Sequence, residues 1–275
     1  MKIGICSYAF RWAVGTPDYT PSRPLTPEGL LEQAAALGAE VVQICDNMPL
    51  HDLAPSRWAA LARRADELDL TLEVGIQGSR SEHVRRSLRV TQGLGARLLR
   101  VVLDEEGASP TLDALADSLR DLLPELHAAG VALAIENHFG LAPQELARLV
   151  QAVDDPLVGI CLDPLNSITR LVGPAETMAA LAPLALSAHA KDARVVHRGT
   201  GVCIVGCPMG EGLVDLRGMF GALRAAGRSP NVLVEAWMDR LEDETATLAQ
   251  EKEWARHGVA YLRQLAAQNA TGDSS

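Results

Sequence analysis

Four residues with metal-binding side chains stand at comparable places in apolar, strand-like runs. Glu136 closes Ala134-Ile135-Glu136, Asp163 closes Ile160-Cys161-Leu162-Asp163, His189 follows Ala188, and Glu235 interrupts Leu233-Val234-Glu235-Ala236. Three carboxylates gathered at one point repel unless a cation sits among them. An oxygen-rich set with a single imidazole suits manganese, magnesium or cobalt better than the sulfur- or histidine-rich sets of structural zinc. Simpler readings exist for two of the four. Asp163 precedes Pro164 and can cap the turn beyond it, and His189 can be a satisfied core histidine. Glu136 and Glu235 have no such explanation inside β-runs. The expectation is one divalent metal ion, manganese first and magnesium or cobalt as alternatives, held by Glu136, Asp163, His189 and Glu235.

Alternate residues of a strand share a face. Lys191 therefore goes with His189, His138 with Glu136, and Trp237 with Glu235, while Glu73 and Gln77 share the lumen with Arg100 and Asp104. Glu73 and Arg100 read as a buried ion pair or as substrate contacts. Lysine is scarce, with Lys2, Lys191 and Lys252 against 22 arginines. Beside a metal, Lys191 suits an anionic oxygen of a substrate or intermediate, or a neighbouring carboxylate. Aromatic residues are few, so Tyr8, Phe10 and Trp12 after the first strand and Trp237 after the last stand out as an apolar wall for a sugar's carbon face, or as a cap on the core.

To bring these residues together, the chain must repeat strand, helix and parallel strand. Eight strands are expected: Ile3 to Tyr8, Glu40 to Cys45, Thr71 to Gln77, Leu98 to Asp104, Val131 to Asn137, Val158 to Asp163, Leu184 to Asp192 and Val232 to Trp237. Helices are expected near 26–37, 55–68, 81–94, 110–128, 143–152, 174–181, 215–225 and 244–268. Thr26-Pro27-Glu28 and Ser109-Pro110-Thr111 supply helix starts, and Gly38, Gly95 and Gly130 supply exits. Eight such units make an α/β chain, a (β/α)8 TIM barrel in one domain over residues 1–268 with a flexible tail at 269–275. A doubly wound sheet is the alternative fold, but no Gly-x-Gly-x-x-Gly follows the first strand. Residues 11–25 and 193–214 read as long loops at the end of the barrel where active sites are built.

The net charge of −10 argues against a nucleic-acid partner, because phosphate backbones are met by Lys and Arg. No apolar run approaches the roughly 20 residues of a membrane span, and the N-terminus reads directly into a strand, so no membrane partner and a cytoplasmic location are expected. Cys6, Cys45 and Cys161 sit in apolar runs and read as buried thiols; Cys203 and Cys207 form a weak pair for a disulfide or a metal. A homodimer is expected only because such dimers are the commonest closed assembly.

Along almost its whole length the sequence resembles the xylose isomerase-like TIM barrels, the sugar phosphate isomerases and epimerases. The resemblance is carried by Gly4-Ile5-Cys6-Ser7-Tyr8, Val42-Gln43-Ile44-Cys45-Asp46-Asn47, Ile135-Glu136-Asn137-His138, Cys161-Leu162-Asp163, His189-Ala190-Lys191-Asp192, the Gly210-Glu211-Gly212 turn leading to Asp215, and Val234-Glu235. It implies the same four metal ligands, with Glu136 and Glu235 also moving the substrate proton; Lys191, from its own place beside them, joins the expected catalytic set. Tyr8, Trp12, Glu73, Arg100, His138, Trp237 and Glu211 are the expected substrate contacts. The opening stretch, the Gln43 to Asn47 segment and the Gly201 to Gly212 segment look similar to a subgroup that includes 3-oxo-isoapionate decarboxylases.

The small sugar-like substrate these relatives imply would react through an enediolate stabilised by the metal. Isomerase or epimerase chemistry is the first expectation and decarboxylation of a 3-oxo sugar acid the second. An inosose dehydratase-like lyase, a metal-dependent hydrolase and a non-catalytic binding barrel complete the alternatives.

Overall fold

The structure is a computed structural model that describes residues 1–104 and 111–271. Its strands, in chain order, are β1 (Ile3–Cys6), β2 (Val41–Ile44), β3 (Thr71–Gln77), β4 (Leu98–Val102), β5 (Ala132–Glu136), β6 (Val158–Leu162), β7 (Ala185–Ala190), β8 (Asp192–Arg198), β9 (Gly201–Cys207) and β10 (Asn231–Val234). Eight of them are parallel and close into a barrel in the order β1-β10-β7-β6-β5-β4-β3-β2. The strands are short and almost wholly buried, as parallel strands covered by helices must be. All eight expected barrel strands form, several shorter than the apolar runs that announced them.

The loop after β1 is more ordered than expected. Residues Ser7–Phe10 form a 3-10 turn and Arg11–Val14 a helical turn. The long C-terminal helix Glu244–Thr271 holds this segment in place. Glu251 accepts the Trp12 and Ala13 backbone N–H groups at 2.6 and 2.9 Å, and Glu244 accepts from Tyr19 and Ser22. That helix runs through Thr271, so the first residues of the expected tail are helical; residues 272–275 lie outside the described residues. So does the Ser109-Pro110 helix start, although Thr111 caps the helix Leu112–Arg120 through Ala114 N–H. The helix expected over 110–128 is two pieces, the second opening at Leu123-Pro124, because proline cannot donate to the preceding turn.

The second expected loop, 193–214, is instead largely a β-hairpin. β8 and β9 pair antiparallel from Asp192↔Cys207 to Arg198↔Gly201. Its base is fixed by the Asp192 carboxylate, which accepts the N–H groups of Ala193, Gly210, Gly212 and Val214 at 2.9–3.0 Å. Charge-assisted bonds of this kind contribute about 1.5–3 kcal/mol each. Gly206 lets the hairpin lie against the Trp237 backbone: a Cβ there would fall 2.1 Å from the Trp237 carbonyl oxygen. The cysteines are free, with Cys203 half-buried and the other four buried. No helix among the described residues is long and apolar enough to cross a membrane.

Candidate metal centre and active site

Glu136 ends β5, Asp163 directly follows β6, His189 lies in β7, and Glu235 directly follows β10. Each offers one ligand atom, and these atoms all lie within 4.8 Å of one another in the buried lumen. Two backbone devices set the height of the carboxylates. Glu235 N–H bonds the Ala190 carbonyl at 2.9 Å, extending the strand ladder past β10. The Asn137 amide clamps the Asp163 backbone in both directions, donating to its carbonyl at 2.6 Å and accepting its N–H at 2.8 Å. The cap expected of Asp163 also exists: its Oδ1 accepts Leu165 and Asn166 N–H. Its Oδ2 is left pointing into the lumen, so the residue serves both purposes.

The orientation of His189 follows from a relay of hydrogen bonds. Gln43 Nε2 donates to Glu73 at 2.9 Å, which turns Gln43 Oε1 toward His189 Nε2 at 2.8 Å. An amide oxygen only accepts, so Nε2 carries a proton and, in the neutral ring, Nδ1 carries the lone pair. In that form Nδ1 faces Glu235 Oε2 at 2.9 Å and Glu136 Oε2 at 3.5 Å, lone pair against lone pairs, a conflict relieved either by a second ring proton or by a bound cation. Both His189 Nδ1 and Asp163 Oδ2 are buried without a directional hydrogen-bond partner. A cation between these atoms removes the conflict, so the residues present fit a divalent ion.

By themselves, the groups around the ring draw it toward its protonated form. Burial lowers the His189 imidazole, but the Cys161 thiol and the Glu136 carboxylate beside it raise it well above its ordinary value. Positive charge is favoured at this point of the lumen. Burial raises Glu235, yet the Lys191 ammonium and His189 outweigh it and hold the carboxyl down at about 2. Arg100 and His189 likewise overcome burial to hold Glu136 well below the ordinary carboxylate value. Asp163 is raised, mainly by burial, despite Lys191.

Lys191 is fully buried between two carboxylates, its Nζ 2.5 Å from Glu235 Oε1 and 2.7 Å from Asp163 Oδ2. The latter contact is close but poorly directed, which is why Asp163 Oδ2 still lacks a proper hydrogen bond. Lys191 also lies 4.7 Å from the centre of the Trp237 ring. Arg100 does not pair with Glu73. Its Nε donates to Glu136 Oε2, and one terminal nitrogen reaches Asp46 Oδ1 at 3.0 Å. Tyr8 in turn donates its hydroxyl to Asp46 Oδ2 at 2.7 Å.

These groups line a cavity of about 650 Å³. Tyr8, Arg100, His138, Lys191, Trp237 and the two glutamates face it, with Asp46, Gln77, Asn166 and Arg11. His138 bonds Asp104 and stacks on Phe139 at the rim. Three expected contacts are elsewhere. Trp12 does not line the cavity: its indole N–H bonds the Met238 carbonyl at 2.7 Å and its ring packs edge-on to Tyr19. Glu73 lies lower in the lumen, accepting from Gln43, Asn231 and Ser187. Glu211 is exposed, carried away on the turn that Asp192 organises. The aromatic wall is thus Tyr8 and Trp237, with Phe10 buried in the core. Sequence reasoning missed Asn166, which donates to Glu136 Oε1 at 2.8 Å, and Asp46 as the link between Tyr8 and Arg100. Asp46 carried a signal, since it directly follows the expected strand Glu40 to Cys45.

Comparison with known proteins adds a lineage to this geometry. A family model described as "Xylose isomerase-like TIM barrel" matches residues 31–265. The 3-oxo-isoapionate decarboxylase of Pectobacterium atrosepticum is 32% identical over 264 residues, covering 95% of each chain. Among solved structures, a D-psicose 3-epimerase in the presence of D-fructose superposes with a TM-score of 0.74 at 16% identity, covering 96% of this chain and 99% of its own. A barrel protein of the same description from Mycobacterium smegmatis, in complex with magnesium, gives 0.67 at 16% identity, covering 94% and 97%.

Proposed function

Because the chain belongs to the xylose isomerase-like TIM barrel family, we propose that it is a divalent-metal-dependent decarboxylase of a small 3-oxo sugar acid. The observation that carries the choice of reaction is that both glutamates are paired with fixed cations: Glu136 accepts from Asn166 at one oxygen and from Arg100 at the other, and Glu235 Oε1 accepts from Lys191 at 2.5 Å. An epimerase must take a proton from carbon, and pairing with a cation weakens a carboxylate as a base. Decarboxylation requires no such step. The bond between the carboxyl carbon and the α-carbon breaks, carbon dioxide leaves, and the electron pair moves toward the ketone oxygen. A proton from solvent or a lumen donor then returns to the α-carbon.

A divalent ion held by Glu136, Asp163, His189 and Glu235 would supply Lewis-acid polarisation of a ketone and an adjacent hydroxyl. Manganese suits the set best, with magnesium or cobalt as substitutes. The remaining roles fall to the chain itself. Arg11 stands exposed at the mouth of the cavity, its guanidinium 5.4 Å from the Trp12 ring centre, and attracts an anionic substrate. Lys191 and the Tyr8–Asp46–Arg100 chain present donors to the substrate's oxygens, and Trp237 covers its carbon face. The 32% identity over the full length of a decarboxylase supports the same reading.

Epimerisation is the second reading, favoured by the presence of both glutamates in the lining of one cavity. The deciding experiment follows the manganese-loaded protein by NMR in deuterated water with a panel of 3-oxo sugar acids and ketoses. Stoichiometric carbon dioxide release with one deuterium at the α-carbon is the expected result. Deuterium exchange next to the carbonyl of a ketose without loss of carbon would replace this reading with the epimerase.

A further inference from the structure

The lumen carries more ligating atoms around His189 than the four proposed ligands use. Cys6, the last residue of β1, is fully buried, and its Sγ stands 3.8 Å from Glu235 Oε2. That same oxygen is 2.9 Å from His189 Nδ1. The three donor atoms all lie within 4.8 Å of one another. Bonds of about 2.0–2.3 Å in a tetrahedral ion separate its nitrogen, oxygen and sulfur ligands by roughly 3.3–3.6 Å. The observed 2.9 and 3.8 Å bracket that requirement, so an ion would need only small shifts.

A second thiol, Cys161, lies within the same distance of His189 and Glu136. Glu136, however, already receives Asn166 at one oxygen and Arg100 at the other. Glu235 differs, since Lys191 takes Oε1 and leaves Oε2 turned to Cys6 and His189. An ion on the Cys161 side would share each carboxylate oxygen with a fixed donor, whereas on the Cys6 side Glu235 Oε2 meets neither Lys191 nor Arg100, so the Cys6 side is the better place for a soft ion.

We propose that Cys6, His189 and Glu235 form a sulfur-containing metal site that takes a thiophilic ion such as Zn²⁺ or Cd²⁺ and excludes the harder resident ion by sharing two of its ligands. A thiolate favours soft ions, whereas carboxylate-rich sets favour manganese and magnesium. Binding replaces the Cys6 S–H bond with a sulfur–metal bond and releases that proton to solvent. The inference rests on the metal centre proposed above.

Cadmium is the probe, because a thiolate–cadmium bond gives an ultraviolet charge-transfer band that oxygen and nitrogen ligands do not. The protein is titrated with cadmium while bound manganese is followed by electron paramagnetic resonance. A band that saturates at equimolar cadmium, displaces manganese, is lost in Cys6→Ser and persists in Cys161→Ser is the expected result. Manganese binding with no cadmium band, a band that survives Cys6→Ser, or simultaneous binding of both ions overturns the sulfur site and leaves the manganese centre standing. Failure to bind either ion overturns both. If Cys6→Ser does not fold, zinc X-ray absorption of the unaltered protein decides: a sulfur neighbour at about 2.3 Å supports the site, and a shell of nitrogen and oxygen alone removes it.

Discussion

Glu73 and Glu235 are buried in one lumen, 3% and 8% exposed, yet their surroundings are opposite in kind. Glu73 is met by neutral donors, the amides of Gln43 and Asn231 at 2.9 and 2.8 Å and the Ser187 hydroxyl at 3.3 Å. Burial raises its carboxyl. Glu235 stands among other carboxylates, an ammonium and an imidazole whose Nδ1 faces it. The lower layer is complete in itself, whereas the upper layer leaves His189 Nδ1 and Asp163 Oδ2 unsatisfied. A buried acid is therefore not in itself a sign of chemistry. What marks the upper layer is carboxylates outnumbering their cations, with acceptor atoms turned toward one another.

Glu235→Gln is the most direct way to break that contrast. It removes one charge and a ligand while keeping the shape of the side chain. Turnover of the 3-oxo acid should fall by about 10²–10³ through weaker stabilisation of the developing charge, with manganese affinity reduced in parallel by calorimetry and the circular dichroism spectrum unchanged. A variant with full turnover would remove Glu235 from the centre.

A third buried carboxylate, Glu251, tests what happens when an acid has neither a cation nor a side-chain amide as partner. It accepts only the Trp12 and Ala13 backbone N–H groups, and burial pushes it up from 4.5 to about 7. In the unfolded chain it ionises near its ordinary value, while in the folded chain it holds its proton until about 7. Its contribution is thus fully present below about 4.5 and is lost as pH rises to about 7, by roughly 3 kcal/mol at most. Melting temperature should fall across that window, and Glu251→Gln should flatten the fall. An unchanged slope in the variant would assign the pH dependence to another group.

The barrel was readable because its parallel strands are continuous apolar runs separated by amphipathic helices, a pattern fixed by local periodicity. The heights of Glu136, Asp163, His189 and Glu235 were readable for the same reason, since each closes or interrupts such a run. What escaped depends on contacts distant in sequence. The hairpin at 192–207 is stabilised by cross-strand pairing and by Asp192, neither of which leaves a period in the chain. Arg100 chose Glu136 over Glu73 because a strand neighbour and Asp46 both face it, a choice that parity alone cannot make. Trp12 left the expected aromatic wall once the C-terminal helix captured its backbone.

Gln43 joins the two layers, so its replacement sharpens the comparison. Gln43→Leu removes the acceptor that fixes the His189 tautomer, and such outer partners typically govern metal affinity by about 10–100-fold. Manganese affinity should weaken by that range in calorimetry while the four ligands stay in place. Unaltered affinity would mean that the packing of β7 alone orients the ring.

Glu73→Gln should have the smallest effect, and for that reason it examines the contrast most closely. The amide keeps one acceptor oxygen, which can still receive Gln43 and Ser187 and so preserve the relay to His189. Its NH₂ then faces Asn231, whose own oxygen is already held by the Lys2 backbone, so one bond is lost. A neutral bond of this kind is worth about 0.5–1.5 kcal/mol, which a urea melt resolves. Manganese affinity should stay within about twofold, because no ligand and no charge next to the ion has changed. If Glu73→Gln instead weakens manganese as much as Gln43→Leu, the charge of Glu73 reaches His189 through the amide, and the two layers act as one electrostatic unit.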